Sequence, residues 1–172
     1  MLKVSVSSDD HIQGNTNAPI TLVEYGDYEC PYCGMAYPIV KQIQKHFGER
    51  LRFVFRNFPI PESHPHAGIA AMTAEFAATK DQFWQMHDLL YENQDNLELS
   101  ALIDYATSLN LSGKELQTAI ENETFVKKIE EDFMGGVRSG VNGTPSFFIN
   151  GQRFNHSFEY ENLLAAITNA SA

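Results

Sequence analysis

Residues 20–25, Ile-Thr-Leu-Val-Glu-Tyr, are apolar on both faces of an extended chain, and Asn17, Ala18 and Pro19 ahead of them form a turn signal. Such a run predicts a central strand covered on both sides. Over 30–47 the interval changes: Ala36, Val40, Ile43 and Phe47 recur at near-helical spacing, Gly48 follows as a terminator, and Pro38 is expected to kink the helix. Strand periodicity returns over 51–58, where Leu51, Phe53 and Phe55 alternate against Arg52, Val54 and Arg56 until Pro59 and Pro61 end the run. A β-α-β opening implies parallel strands joined by a right-handed crossover. Helical spacing then occupies 67–78, 82–92, 101–109, 113–122 and 124–134, which reads as a block of inserted helices. Within it Phe83, Met86 and Leu90 share a face and, with Trp84, are expected to bury the block against the opening unit. Met35, Met72, Met86 and Met134 read as core or groove packing. A strand pattern over 146–149 follows, Asn150-Gly151 signals a hairpin into 152–155, and a last helix is expected over 160–168.

Bulk properties narrow the function classes. The 172 residues can bury a substantial core and favour one domain. Hydrophobic residues at 43% and charged residues at 20% describe a globular chain, and no apolar run approaches bilayer length. A net charge of −10, with dispersed Lys and Arg, repels phosphate backbones and argues against nucleic acid as a partner. Residues 1–19 carry Asp9, Asp10, His11, Gln13 and Asn15 and lack the apolar segment of a secretory signal. The chain as given reads as cytoplasmic; a mature exported or periplasmic protein with its signal removed would look the same.

The cysteines concentrate the chemistry. Cys30 and Cys33 are the only two, which excludes a stapled disulfide framework. Disulfide exchange needs a thiolate, so a redox cysteine requires a depressed pKa and access to its substrate. Cys30 falls where strand gives way to helix, facing unpaired N–H groups and the positive end of the helix dipole, and is expected to be exposed. Cys33, one turn later, is placed as its buried partner, and Pro31 fits the first helical position. A zinc site would need further ligands, and His64, His66 and His87 lack the paired spacing of such sites, so no metal is assigned. His64 and His66 read instead as residues at a helix start.

The run from Ala18 through Glu24, Asp27 and Glu29 to Cys30-Pro31-Tyr32-Cys33 resembles the active-site strand and turn of DsbA-like thiol–disulfide oxidoreductases, a branch of the thioredoxin superfamily. Phe53-Val54-Phe55-Arg56-Asn57-Phe58-Pro59, His64-Pro65-His66-Ala67, Phe83-Trp84-Gln85-Met86-His87 and Gly140-Val141-Asn142-Gly143-Thr144-Pro145 resemble the same branch in the same order. The resemblance implies one α/β domain over 1–172, with a thioredoxin-like fold in 18–61 and 137–172 and an α-helical insertion in 62–136. It implies catalytic roles for Cys30, Cys33 and Glu24, an active-site spacer of Pro31 and Tyr32, and a substrate-binding cis-proline loop at Thr144 and Pro145. No cofactor beyond the Cys30–Cys33 disulfide is implied.

Read alone, Glu24 shares a face with Ile20 and Leu22, and either a buried proton-carrying acid or a strand-end carboxylate fits; the resemblance favours the acid. The expected partners are protein thiols or disulfides and an unidentified redox partner, met by a monomer. Whether the protein oxidises or reduces them stays open. Cys-Pro-Tyr-Cys also resembles the glutaredoxin motif, so glutathione-dependent reduction is an alternative, as is a non-catalytic peptide-binding module of chaperone or regulatory type. Tyr32 lacks the positive charge a histidine could bring, and Asp27 and Glu29 oppose the helix dipole, so a weakly stabilised thiolate and a mild oxidant are expected.

Overall fold

The computed structural model describes all residues, Met1–Ala172. Its centre is β2, Ile20–Gly26, paired in parallel with β3, Leu51–Asn57, through the crossover helix α1, Pro31–Phe47. Strand β4, Ser146–Ile149, lies antiparallel on the other side of β2, and β5, Gln152–Phe154, closes that edge through the turn at Asn150-Gly151. The opposite edge is β1, His11–Gly14, antiparallel to β3, giving the order β1-β3-β2-β4-β5. Between β3 and β4 run five helices: α2, Ala67–Ala78; α3, Phe83–Glu92; α4, Leu99–Ser108; α5, Gly113–Glu121; and α6, Val126–Arg138. Helix α7, Tyr160–Ala170, ends the chain. This is a thioredoxin-like α/β fold carrying a helical insertion.

Both faces of the central strands are covered, as their unbroken apolar run requires. Ile20 and Leu22 of β2, with Leu51, Phe53 and Phe55 of β3, join the larger core, which takes in Cys33, Ala36, Val40 and Ile43 of α1 and Met86 and Leu90 of α3. Val23, Tyr25, Val54 and Phe148 face the other way, into a smaller core with Phe58 and Val141. Period-two alternation therefore sends Glu24 to the same side as Leu22, toward α1.

Strand β1 has no counterpart in the sequence reading. Its four residues are too few and too polar for periodicity to register, and tertiary contacts hold them. The indole N–H of Trp84 donates to the Ile12 carbonyl at 3.2 Å, while the His11 ring meets the Glu75 carboxylate and stacks on Phe83 with centroids 3.6 Å apart. Other differences are at boundaries. Helix α6 continues to Arg138, four residues past its expected end, and α1 runs unbroken through Pro38. Met86 is buried as core, whereas Met35 and Met134 are exposed.

Candidate active site

The site is assembled where β2 ends. Gly26 leads into Asp27-Tyr28-Glu29, Cys30 takes the N-cap position of α1 in extended conformation, and Pro31 occupies its first turn. Asp27 organises this bend: one carboxylate oxygen accepts the N–H of Glu29 at 2.8 Å and of Cys30 at 3.2 Å. The other accepts the Ile60 N–H at 2.9 Å and Nδ1 of His64 at 2.8 Å. Glu29 is held likewise by the His66 N–H at 2.6 Å and its Nδ1 at 2.9 Å. The segment after β3 thus clamps the turn before α1 through two histidine–carboxylate pairs.

A second tie comes from the inserted helices. Gln94, just beyond α3, donates its amide to the carbonyls of Tyr28 and Cys30, each at 2.9 Å. Gly34 leaves room for it, since a Cβ there would lie 1.9 Å from Gln94 Oε1. On the opposite side stands the loop between α6 and β4. Its Thr144–Pro145 peptide bond is cis, and the Thr144 carbonyl is 3.5 Å from Cys30 Sγ. Arg153 of β5 braces the loop by donating to the Gly140 carbonyl and to Asn142 Oδ1.

Both cysteines are reduced and lie 3.8 Å apart. Their environments push them in opposite directions. Cys30 is lowered to about 5, first by the hydrogen bond from the Cys33 thiol, then by the Thr144 side chain and the free N–H groups of Cys33 and Tyr32, against the opposing effect of burial. Cys33 is raised well above the usual thiol range, chiefly by burial. Behind it, Glu24 is 2% exposed, and burial, reinforced by negative charge on Cys30, raises its carboxyl to about 8. Two sulfurs pushed in opposite directions and a carboxyl that burial pushes up therefore share one buried site and feel one another's charge.

Two expectations need correction. The expected weak stabilisation of the thiolate is opposed by the hydrogen bonds that lower Cys30, led by the one from Cys33, while Asp27 and Glu29 are engaged by His64, His66 and backbone N–H groups. Nor is Cys30 open to solvent: it is 3% exposed, with the Thr144 loop over it, although the neighbouring Tyr32 is 62% exposed. Cys30, Cys33, Glu24, Pro31, Tyr32, Thr144 and Pro145 do converge on one place. His64 and His66 were visible in the sequence, as were Asp27 and Glu29, but their pairing across 37 residues was not. Nothing in the sequence marks Gln94 or Arg153. No group of three or more His, Cys, Asp or Glu is disposed to hold a metal ion.

Comparison with known proteins follows the geometry. A family model described as thioredoxin matches residues 6–169. The fold is similar to the crystal structure of oxidised BdbD from Bacillus subtilis, with a TM-score of 0.86 and 26% identity over 95% of this chain and 93% of that one. It is similar also to a thioredoxin-like oxidoreductase from Silicibacter pomeroyi, at 0.84 and 25% over 95% and 93% of the two chains. Alpha-DsbA1 from Wolbachia pipientis, at 0.84 and 21% over 99% and 94%, shares the fold. Among curated proteins, the Na(+)/H(+) antiporter NhaA 1 of Salinispora arenicola is 42% identical over 99% of this chain. The match takes in 26% of that relative, so the chain spans about a quarter of its length.

Proposed function

Because the chain belongs to the thioredoxin family, we propose that it is a thiol–disulfide oxidoreductase acting on protein substrates through Cys30 and Cys33. The observation that carries this reading is the placement of two free cysteines 3.8 Å apart, Cys30 at a helix N-cap and Cys33 buried one turn on, which pushes the first thiol down and the second up. In the reducing direction the Cys30 thiolate attacks a substrate disulfide, a Cys30–substrate bond forms, and the first substrate sulfur leaves as a thiolate. Cys33 then gives its proton to ionised Glu24 and attacks Cys30 Sγ. The Cys30–Cys33 disulfide forms, the second substrate thiolate departs, and two electrons have passed to the substrate. Run backwards, the same steps oxidise a dithiol, with protonated Glu24 supplying the proton that Cys33 takes up on leaving.

A stabilised thiolate favours the reduced protein, which makes the oxidised form a better disulfide donor. The lowered Cys30 supports a stronger oxidant than the mild one expected from the sequence, one that donates disulfides in an oxidising compartment. The Thr144 carbonyl, 3.5 Å from the reacting sulfur, supports extended-peptide recognition by the backbone of the Thr144–Pro145 loop. The antiporter name belongs to the longer relatives; no helix here is long and apolar enough to cross a membrane.

Catalysed reduction of a disulfide-bonded protein by dithiothreitol tests the reading. Cys30→Ser is expected to abolish catalysis, and Cys33→Ser to leave a burst without turnover. Undiminished catalysis in Cys30→Ser contradicts the assignment, and catalysis that appears only with glutathione selects the glutaredoxin-like alternative.

A further inference from the structure

Tyr91 belongs to α3, in the inserted helices, yet its hydroxyl reaches the end of β2. The meeting point is Gly26: a Cβ there would lie 2.9 Å from Tyr91 Oη and 3.1 Å from Glu24 Oε1. These two oxygens share a further property, for both are buried and neither has a hydrogen-bond partner. Phe at position 91 would pack the same aromatic cluster, with Tyr28 at 4.9 Å, His87 at 5.0 Å and Tyr37 at 5.4 Å between centroids, without burying a lone hydroxyl.

The surrounding polar groups are already engaged. The Tyr28 hydroxyl meets His87 Nδ1 at 2.9 Å, the Tyr37 hydroxyl donates to Glu92 at 3.1 Å, and Asp27 is filled by its N–H and histidine donors. A protonated Glu24 can leave Oε1 bare at modest cost, whereas a buried carboxylate cannot. We propose that Tyr91 is a positioning residue for Glu24, a small shift of the two side chains letting its hydroxyl donate to the carboxylate when Glu24 is ionised. Tyr91 thereby sets how readily Glu24 exchanges its proton with Cys33. The proposal rests on the redox reading and on the proton-carrying role of Glu24 within it, and assigns the inserted helices a part in the proton step.

The groups facing this pair bear on its pH dependence. Cys30, from the turn, is lowered to about 5, and Cys33, from α1, is raised well above its usual range. Burial raises Tyr28 and Tyr91 well above the usual phenol range and keeps His87 neutral, and the Tyr37 phenol is raised too. Between about pH 5 and 8, Glu24 is therefore the member of this group expected to change charge.

The test mixes reduced protein with an aromatic disulfide whose leaving thiolate is coloured. A fast phase reports attack by Cys30, and a second phase reports resolution by Cys33. Without Tyr91 as donor, ionised Glu24 is disfavoured, so Tyr91→Phe is expected to move the low-pH limb of the second phase upward by about one unit, a roughly tenfold slowing below it. The fast phase should be retained, which certifies the fold, and Tyr91→Phe should have no effect in a Glu24→Gln background. A limb that does not move in Tyr91→Phe overturns the proposal, as does a shift that persists in the double variant. Absence of a second phase from the unaltered protein overturns the redox reading itself, and this proposal with it.

Discussion

Glu24→Gln is expected to stabilise the reduced protein by about 3 kcal/mol at pH 7 and to leave its stability nearly unchanged at pH 4. The sign follows from the direction of the shift. Burial raises the Glu24 carboxyl to about 8 in the folded protein, whereas an unfolded chain releases that proton in the ordinary carboxyl range. Below that range both states are protonated and Glu24 contributes no penalty. As pH rises, the unfolded chain ionises while the folded one must keep its proton, and stability falls by ~1.4 kcal/mol per unit until the folded group also titrates. Gln fills the same volume and does not titrate. Chemical denaturation of both proteins at several pH values measures the difference. An offset equal at pH 4 and pH 7 would show that the carboxyl is not held protonated, and would remove Glu24 from the proposed proton step.

Alkylation of the reduced protein is expected to select Cys30 over Cys33 by at least an order of magnitude at pH 6. Thiolate content and intrinsic nucleophilicity pull in opposite directions. Cys30, lowered to about 5, is mostly thiolate at this pH, while Cys33, raised above the usual thiol range, is almost wholly protonated. A low-pKa sulfur is the poorer nucleophile, which recovers for Cys33 roughly half of that difference on a logarithmic scale. Raising the pH narrows the preference, because Cys30 is already ionised while the thiolate fraction of Cys33 still grows. The preference should therefore be clearest in mildly acidic solution, with the Cys30 rate half-maximal near pH 5. Mass spectrometry after a timed pulse of iodoacetamide reads both sites. Equal labelling at pH 6 would remove the distinction between attacking and resolving sulfurs.

The parts of this site legible in the sequence were those with local signals. A doubly apolar run ending in Cys30-Pro31-Tyr32-Cys33 encodes strand, turn and helix start within 28 residues of the chain, 20–47, and the structure places them so. Glu24 could be put on the α1 side by counting alternate residues from Ile20, although its burial depended on what covered that face. Non-local pairings were illegible. Asp27 and Glu29 looked like charges opposing the thiolate because His64 and His66, 37 positions on, were not known to return to them. Gln94 carries no motif, and its importance comes from landing on the carbonyls of Tyr28 and Cys30. Strand β1 is similar, being held by Trp84 and Glu75 rather than by its own pattern.

Every step of the proposed cycle passes through one covalent species, a disulfide between Cys30 and a substrate sulfur. Removing the resolving thiol should make that species persist. The decisive measurement incubates Cys33→Ala with a disulfide-bonded peptide and maps the adduct by mass spectrometry under non-reducing conditions. The account predicts a peptide disulfide-linked to Cys30, stable until an external thiol is added; a protein that acquires no adduct at Cys30 contradicts it.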